Sequence, residues 1–306
     1  IKGDITMIGR MSSDQIHQSS LDVILDAQAR LQRTQEELAS GKRIQTPADD
    51  PVASAQILKS RSELARIESY QRNTDYALNE ISLAESTVGS AEDAIIRIKN
   101  LTLQAANATY SDSDRQAMAS EISGLKDHLL ALANTKSASG EYIFAGANVS
   151  SAPYTVTNGV SSFTGDTNIR TVNLSSSVTI TTRLSGQEVF GDATAGNIDI
   201  FNVIETTIGA LQTNNTALIT TSIDELDSAA NQLFEARSAL GVRMNRVEDQ
   251  RSLNEDFSLS LSKGISSLED LDYARAVSEL SMRMLALESA QKAYTKTQGL
   301  SLFNYL

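Results

Sequence analysis

Beyond Pro51 the sequence keeps a helical apolar spacing for roughly 57 residues without another proline. The seam passes Leu64, Ile67, Thr74, Leu78, Ile81 and Val88, then Ala91, Ile95, Ile98 and Thr102. Its steps of three, four and seven are heptad spacing, which holds one narrow stripe against a partner helix. An ordinary globular helix has about 8–20 residues, so this run predicts a long coiled-coil-like element.

The flanks fit the same plan. Ile24, Leu31 and Leu38 lie seven apart, with Ala27 and Thr34 between them, and the stripe stops at Ser40-Gly41. Glycine is the usual residue just past a helix end. Lys42 to Asp49 then reads as a structured turn, with Asp50 as the next N-cap and Pro51 as the first helical residue. Ser111-Asp112-Ser113-Asp114 caps a further helix to about Thr135, whose apolar face is Met118, Ile122, Leu125, Leu129 and Leu132. After residue 200 the helical text returns without a proline, over about Ile200–Leu211 and Ile223–Ser262. A last stripe carries Val277, Leu280, Met284 and Leu287, then weakens through Gln291, Tyr294 and Gln298.

Between these arms the text changes. Of the 54 residues from 147 to 200, 17 are Ser or Thr and only six are charged. Tyr154 and Val156 precede Asn158-Gly159, a hairpin signal because both turn residues tolerate positive φ. Short alternating runs follow at Val172/Leu174 and Val178/Ile180, punctuated by Gly165, Gly186, Gly191 and Gly196. The chain therefore divides into an extension over 1–11, an N-terminal helical arm over 12–146, a β-rich insertion over 147–200 and a C-terminal helical arm over 201–306. An insertion of different composition is one that the helical fold is expected to tolerate losing.

Chemistry is sparse. Cysteine is absent, which removes disulfides, thiol catalysis and zinc ribbons. His17 and His128 are distant in sequence and belong to no metal-ligand pattern, so both read as solvated or packed. No phosphate loop, dinucleotide fingerprint or nucleophile elbow occurs. Asn107-Ala108-Thr109 and Asn148-Val149-Ser150 fit the glycosylation pattern, which is common by chance. The pair Asp49-Asp50 is explained by satisfaction of free N–H groups at a helix start. A net charge of −12 argues against nucleic acid as a partner. The longest apolar run, Leu129 to Ala133, is far below the ~20 residues of a membrane span. No cleaved Sec-type leader is expected from the first residues.

Some motifs are more specific. Ala39-Ser40-Gly41-Lys42-Arg43-Ile44, followed by Pro47-Ala48-Asp49-Asp50-Pro51-Val52-Ala53, resembles the N-terminal signature of bacterial flagellin-type axial proteins. The two prolines bring it nearer to the hook–filament junction group than to true flagellins. Ser139-Gly140-Glu141-Tyr142-Ile143-Phe144-Ala145-Gly146 is similar to the point where that group inserts its outer domain. Asp272-Tyr273-Ala274-Arg275-Ala276-Val277-Ser278 and Gly299-Leu300-Ser301-Leu302-Phe303 resemble its C-terminal helix and tail.

The fold expected is mainly α: a long antiparallel helical bundle with coiled-coil pairing of N- and C-terminal helices and a small inserted β-rich domain. The resemblance implies a secreted structural protein of the flagellum, exported unfolded, that adapts the hook-associated ring to the flagellin filament. It implies as partners the adjacent hook-associated protein, flagellin, further copies of the chain in a ring and an export chaperone. It implies neither catalysis, a cofactor, nucleic-acid binding nor membrane insertion. A self-polymerising flagellin is the alternative reading.

The terminal stripes have few neighbours in their own chain. Ile24, Leu31, Leu38, Val277, Leu280, Met284, Leu287 and Tyr294 are therefore the expected assembly interface. Gly41, Pro47, Asp49, Asp50 and Pro51 are the expected structural turn. Burying Val277, Leu280, Met284 and Leu287 is worth about 6–12 kcal/mol gross. Ordering their segment costs about 1–2 kcal/mol per residue. Both ends are accordingly expected to gain order only on assembly.

Overall fold

The computed structural model describes residues 13–157, 160–168, 170–192 and 197–302, and within them the side chains of 18–296. The expected extension over 1–11, the turn residues Asn158 and Gly159, Gly196, the His17 side chain and Phe303 lie outside that description. In chain order the elements are α1 (Ser13–Ser40), α2 (Pro51–Ala105), α3 (Asp112–Ala133), β1 (Tyr154–Thr157), β2 (Val160–Phe163), β3 (Thr171–Asn173), β4 (Thr179–Thr181), α4 (Gly186–Phe190), α5 (Ile200–Gln212), α6 (Thr216–Glu269) and α7 (Tyr273–Leu302). They form two compact units, the first of residues 1–65 with 259–306 and the second of 66–258.

The second unit is built on the long seam. Ala77, Ile81, Ala84, Val88, Ala91, Ile95, Ile98 and Thr102 of α2 are all buried, and their steps alternate four and three. Ile219, Ser222, Leu226, Ala229, Leu233, Ala236 and Leu240 of α6 are buried with the complementary alternation. The two helices run antiparallel within this unit: Asp75 pairs Arg251, Glu85 and Glu92 pair Arg237, and Lys99 pairs Asp227. Gly89 makes room for the Arg237 side chain, whose Cζ would stand 3.2 Å from a Cβ placed there.

α3 starts on a capping box in which Ser111 accepts from the Asp114 amide and Asp114 accepts from the Ser111 amide. Its buried Ile122 and Leu129 join the same core, as do Ile200, Ile204 and Leu211 of α5. The buried Arg115 closes the end of α2 by donating to the carbonyls of Ala105 (2.8 Å) and Asn107 (3.2 Å).

The Ser/Thr-rich stretch contributes two separate two-stranded antiparallel sheets. β1 pairs β2 with Tyr154 opposite Phe163 and Thr157 opposite Val160, and β3 pairs β4 with Val172 opposite Ile180. Tyr154, Leu174, Ile180, Val189 and Phe190 are buried in one cluster with the α2, α3, α5 and α6 core. The Phe190 ring meets Phe144 edge-on at 5.4 Å and Tyr154 at 5.9 Å, and it stacks on Phe201 at 6.0 Å. Helix side chains also satisfy the stretch's backbone. Asn73 donates to the Asn173 carbonyl (2.9 Å), Asn254 to Leu174 (3.1 Å), and Gln232 to Val189 (3.1 Å) and Ile198 (3.2 Å). Its removal would therefore open the helical core, so the tolerance expected from composition alone does not follow.

The first unit holds α1 and α7 with the start of α2 and the end of α6. α1 and α7 lie antiparallel: Leu271 donates to the Gly41 carbonyl at one end, and Arg283 to the Arg30 carbonyl further along. Over their described residues α1 and α7 are thus helical and paired with each other within one chain.

Candidate assembly site

The turn comes first, because it fastens the helix pair. Gly41 ends α1 with φ +70°, and its amide still donates to the Glu37 carbonyl (2.9 Å). The chain then bridges residues 269–271: Arg43 donates its amide to Glu269 (2.7 Å) and its guanidinium to the Leu268 carbonyl (2.7 Å). A Cβ at Gly41 would stand 2.6 Å from the Tyr273 hydroxyl, so the position requires glycine for space as well as for φ.

Asp50 caps α2 as expected, accepting from the Ala53 amide at 3.0 Å, with Pro51 as the first helical residue. Asp49 does not cap the helix. Its carboxylate turns back to accept from the amides of Thr46 (2.8 Å) and Gln45 (3.0 Å), and it pairs Arg33 of α1 at 2.6 Å. Those amides, Thr46 first, hold the Asp49 carboxyl below the usual carboxylate range. Pro47 stays exposed at the tip of the turn, and Ile44 packs with Ala53 and Ile57 beneath it.

Sequence reasoning missed Glu269. Its side chain is 8% exposed and receives Lys42 and Arg61, each at 2.6 Å. The Lys42 hydrogen bond, then that of Arg61, depresses its pKa against the opposing effect of burial. No local pattern announces this group, because its partners lie more than 200 residues away in the chain.

The stripe residues divide into two sets. Ile24, Leu31 and Leu38 of α1 and Leu280, Leu287 and Tyr294 of α7 are half-buried, while Thr34 is fully buried between them. Val277 and Met284 are 52% and 55% exposed. α1 covers the 280/287/294 row of α7 and leaves 277/284 outward, so only one of the two rows that a full heptad seam would bury is packed. Apolar residues off the heptad join the uncovered surface: Leu21, Val23 and Leu25 on α1, and Met282 and Leu285 on α7.

Two grooves follow the pair. One, about 500 Å³, is lined by Leu31, Ser281, Met284, Leu285, Leu287, Glu288 and Gln291. The other, about 450 Å³, runs past Val23, Ala27, Met282 and Ala286 between Asp26, Arg30, Glu279 and Arg283. Those four charges pair within their own helices, Asp26 with Arg30 at 2.7 Å and Glu279 with Arg283, and Glu288 of the first groove pairs Lys292 at 2.6 Å, so each groove offers an apolar floor with a compensated rim. Among the described residues no group of three or more potential ligands could hold a metal ion, and no helix is long and apolar enough to cross a membrane. His128 is exposed on α3.

Residues 11–149 match the family model for the bacterial flagellin N-terminal helical region, and residues 223–306 match that for its C-terminal helical region. The flagellar hook-associated protein 3 of Escherichia coli K12 is 30% identical over 314 residues, covering 96% of this chain and 98% of that protein. The flagellin of Bacillus subtilis 168 is 24% identical over 270 residues, 85% of this chain and 86% of that one. In fold, the chain is similar to the flagellar junction protein FlgL of Legionella pneumophila. The TM-score is 0.60 at 21% identity, over 71% of this chain and all of that one.

Proposed function

This chain belongs to the flagellar hook-associated protein 3 family, on the flagellin-type terminal regions, and from that premise we propose that it is the structural junction subunit that adapts the hook-associated ring to the flagellin filament. It is a component of the bacterial flagellum. The function assigned is joining, and it calls for no reaction and no cofactor.

The observation that carries this reading is the uncovered apolar surface of α1 and α7. Val277, Met282, Met284 and Leu285 are each more than half exposed on a helix already paired along its other side. Large apolar surface that a subunit cannot cover itself marks a protein–protein interface. We assign this surface to neighbouring subunits: copies of the same chain in a ring, with the adjacent hook-associated protein on one side and flagellin on the other. The turn from Gly41 to Pro51 supplies geometry, fixing where α1 leaves α2. The site is external to the cell, reached by export through the flagellar channel with a chaperone covering the terminal helices beforehand.

The test is complementation of a deletion strain. Met284→Asp with Leu285→Asp should leave the purified subunit's helicity unchanged, because both side chains already face water, and should abolish filament attachment and swimming. Normal motility with the double variant would overturn the reading. Wild-type protein that grew long filaments alone would instead be acting as a flagellin.

A further inference from the structure

The chain has six methionines, and the side chains of four of them are described. Met118 and Met244 are half-buried and pack against the core of the second unit. Met282 and Met284 of α7 are 64% and 55% exposed. Two positions along an α-helix turn the chain by about 200°, so this pair serves two different sides of α7. Met282 accordingly lines the groove of about 450 Å³, and Met284 the groove of about 500 Å³. Each apolar groove along the helix pair thus carries one thioether within reach of solvent.

We propose that Met282 and Met284 are an oxidant-sensitive modification site, at which hydrogen peroxide converts both thioethers to sulfoxides and so blocks docking on the two grooves without unfolding the subunit; the proposal rests on the reading of this surface as an assembly interface. In the step a sulfur lone pair attacks one peroxide oxygen. An S–O bond forms and the O–O bond breaks, so sulfur is oxidised by two electrons. The proton of the transferred oxygen passes to the departing hydroxide, which leaves as water. A dithiol-dependent methionine sulfoxide reductase reverses the change, with the dithiol oxidised to a disulfide and the oxygen released as water. A sulfoxide accepts hydrogen bonds strongly and has no proton to donate, so covering it without a donor is costly. The cations of the rims are already engaged: Arg30 with Asp26, Lys292 with Glu288, and Arg283 with both Glu279 and the Arg30 carbonyl. The free subunit bears no such cost, because both side chains face water and the 280/287/294 row that packs on α1 contains no sulfur. Once a partner covers the grooves the sulfurs are out of reach, so the sensitivity belongs to the unassembled chain.

The first measurement is peptide mass spectrometry of the full chain after graded hydrogen peroxide, read beside helix circular dichroism. Met282 and Met284 should take up oxygen at least about fivefold faster than Met118 and Met244, with helicity unchanged. The second uses a deletion strain carrying either the wild-type chain or Met282→Leu with Met284→Leu, a swap that conserves volume and helix preference. Filaments are sheared off, and a sublethal peroxide pulse is given while they regrow. Without peroxide the two strains should regrow filaments equally. The pulse should cut attached filaments at least about threefold more in the wild type than in the leucine strain. Wild-type chain with both sulfoxides should collect in the medium, and unoxidised chain in the attached flagella. A strain with Met118→Leu and Met244→Leu should stay as sensitive as the wild type. Equal oxidation of all four methionines, equal loss of filaments in the wild-type and Met282/Met284 leucine strains, or protection by the Met118/Met244 pair would overturn this inference and leave the interface standing. Normal swimming of Met284→Asp with Leu285→Asp would remove the interface and this inference with it.

Discussion

Phe190 decides whether the Ser/Thr-rich stretch is a separate small body or part of the helical core. Its side chain is completely buried and touches Phe144, Tyr154 and Phe201, the last of which belongs to α5. Truncation of such a ring to alanine costs about 3–5 kcal/mol, as lost transfer energy plus a cavity that close-packed neighbours fill incompletely. In a cooperative unit of this size each kcal/mol is worth about 2–4 °C, so Phe190→Ala should lower the helical melting temperature by about 6–20 °C. The assay is thermal unfolding followed by helix circular dichroism and by tyrosine emission, which is unobscured because the chain has no tryptophan. Both signals should shift together, since Tyr154 packs on the lost ring. Val160→Ala, at an exposed strand position, is the control and should stay within about 0.5 kcal/mol. An unchanged helical transition, with an early loss of tyrosine signal alone, would refute the shared core and restore an autonomous insertion.

Gly41→Ala should destabilise the first unit by at least about 1–2 kcal/mol from its positive φ alone. Tyr273→Phe, which removes the hydroxyl at 2.6 Å, should recover the excess above that in a double-mutant cycle of urea midpoints. Asp50→Ala should cost about 0.5–2 kcal/mol and Asp50→Asn much less, because the asparagine oxygen can still accept from Ala53. If only the carboxylate serves in those same measurements, charge at this position has a partner beyond the cap. Acid should loosen the fastening of α1 to α6. The carboxyls of Glu269 and Asp49 are depressed by the fold, so their stabilisation is present above the unfolded value near 4 and is lost as pH falls through the lower folded values. The protection of the Leu271 amide, taken relative to its intrinsic exchange rate at each pH, should therefore fall below about pH 4, and Glu269→Gln should flatten that dependence.

The seam of α2 was legible because heptad spacing is local: the residues read from the sequence between Ile81 and Thr102 are the buried ones. α6 proved longer than its pattern, starting at Thr216 and ending at Glu269 rather than spanning 223–262. Its first turns hold Thr and Ser, and its last turn is fixed by Lys42 and Arg61, neither of which leaves apolar periodicity. In α7 the reading of one stripe merged two rows that a single partner separates, so the exposure of Val277 and Met284 was hidden. Membership of Tyr154, Leu174 and Phe190 in the helical core was equally invisible. Tyr154 accepts and donates with Asn134 through its backbone and packs on Phe201, and the Leu174 carbonyl accepts from Asn254, partners 20 to 80 positions away. Composition describes a segment without saying what it packs on.

The fastening between residues 41–43 and 268–271 also sets an order of events. Arg43 and Leu268 are separated by 225 positions, and Arg283 and Arg30 by 253. Closing a loop of about 225 residues from a fully unfolded chain costs about 5 kcal/mol in entropy, with few contacts to offset it. Once the second unit has formed, Asp75 and Arg251 already stand 3.6 Å apart, and most of that loop is closed. The first unit should thus fold after the second, as a late step nucleated by its neighbour's completion. A chain emerging N-terminus first can present α1, but it cannot lock it until the last fifty residues have arrived.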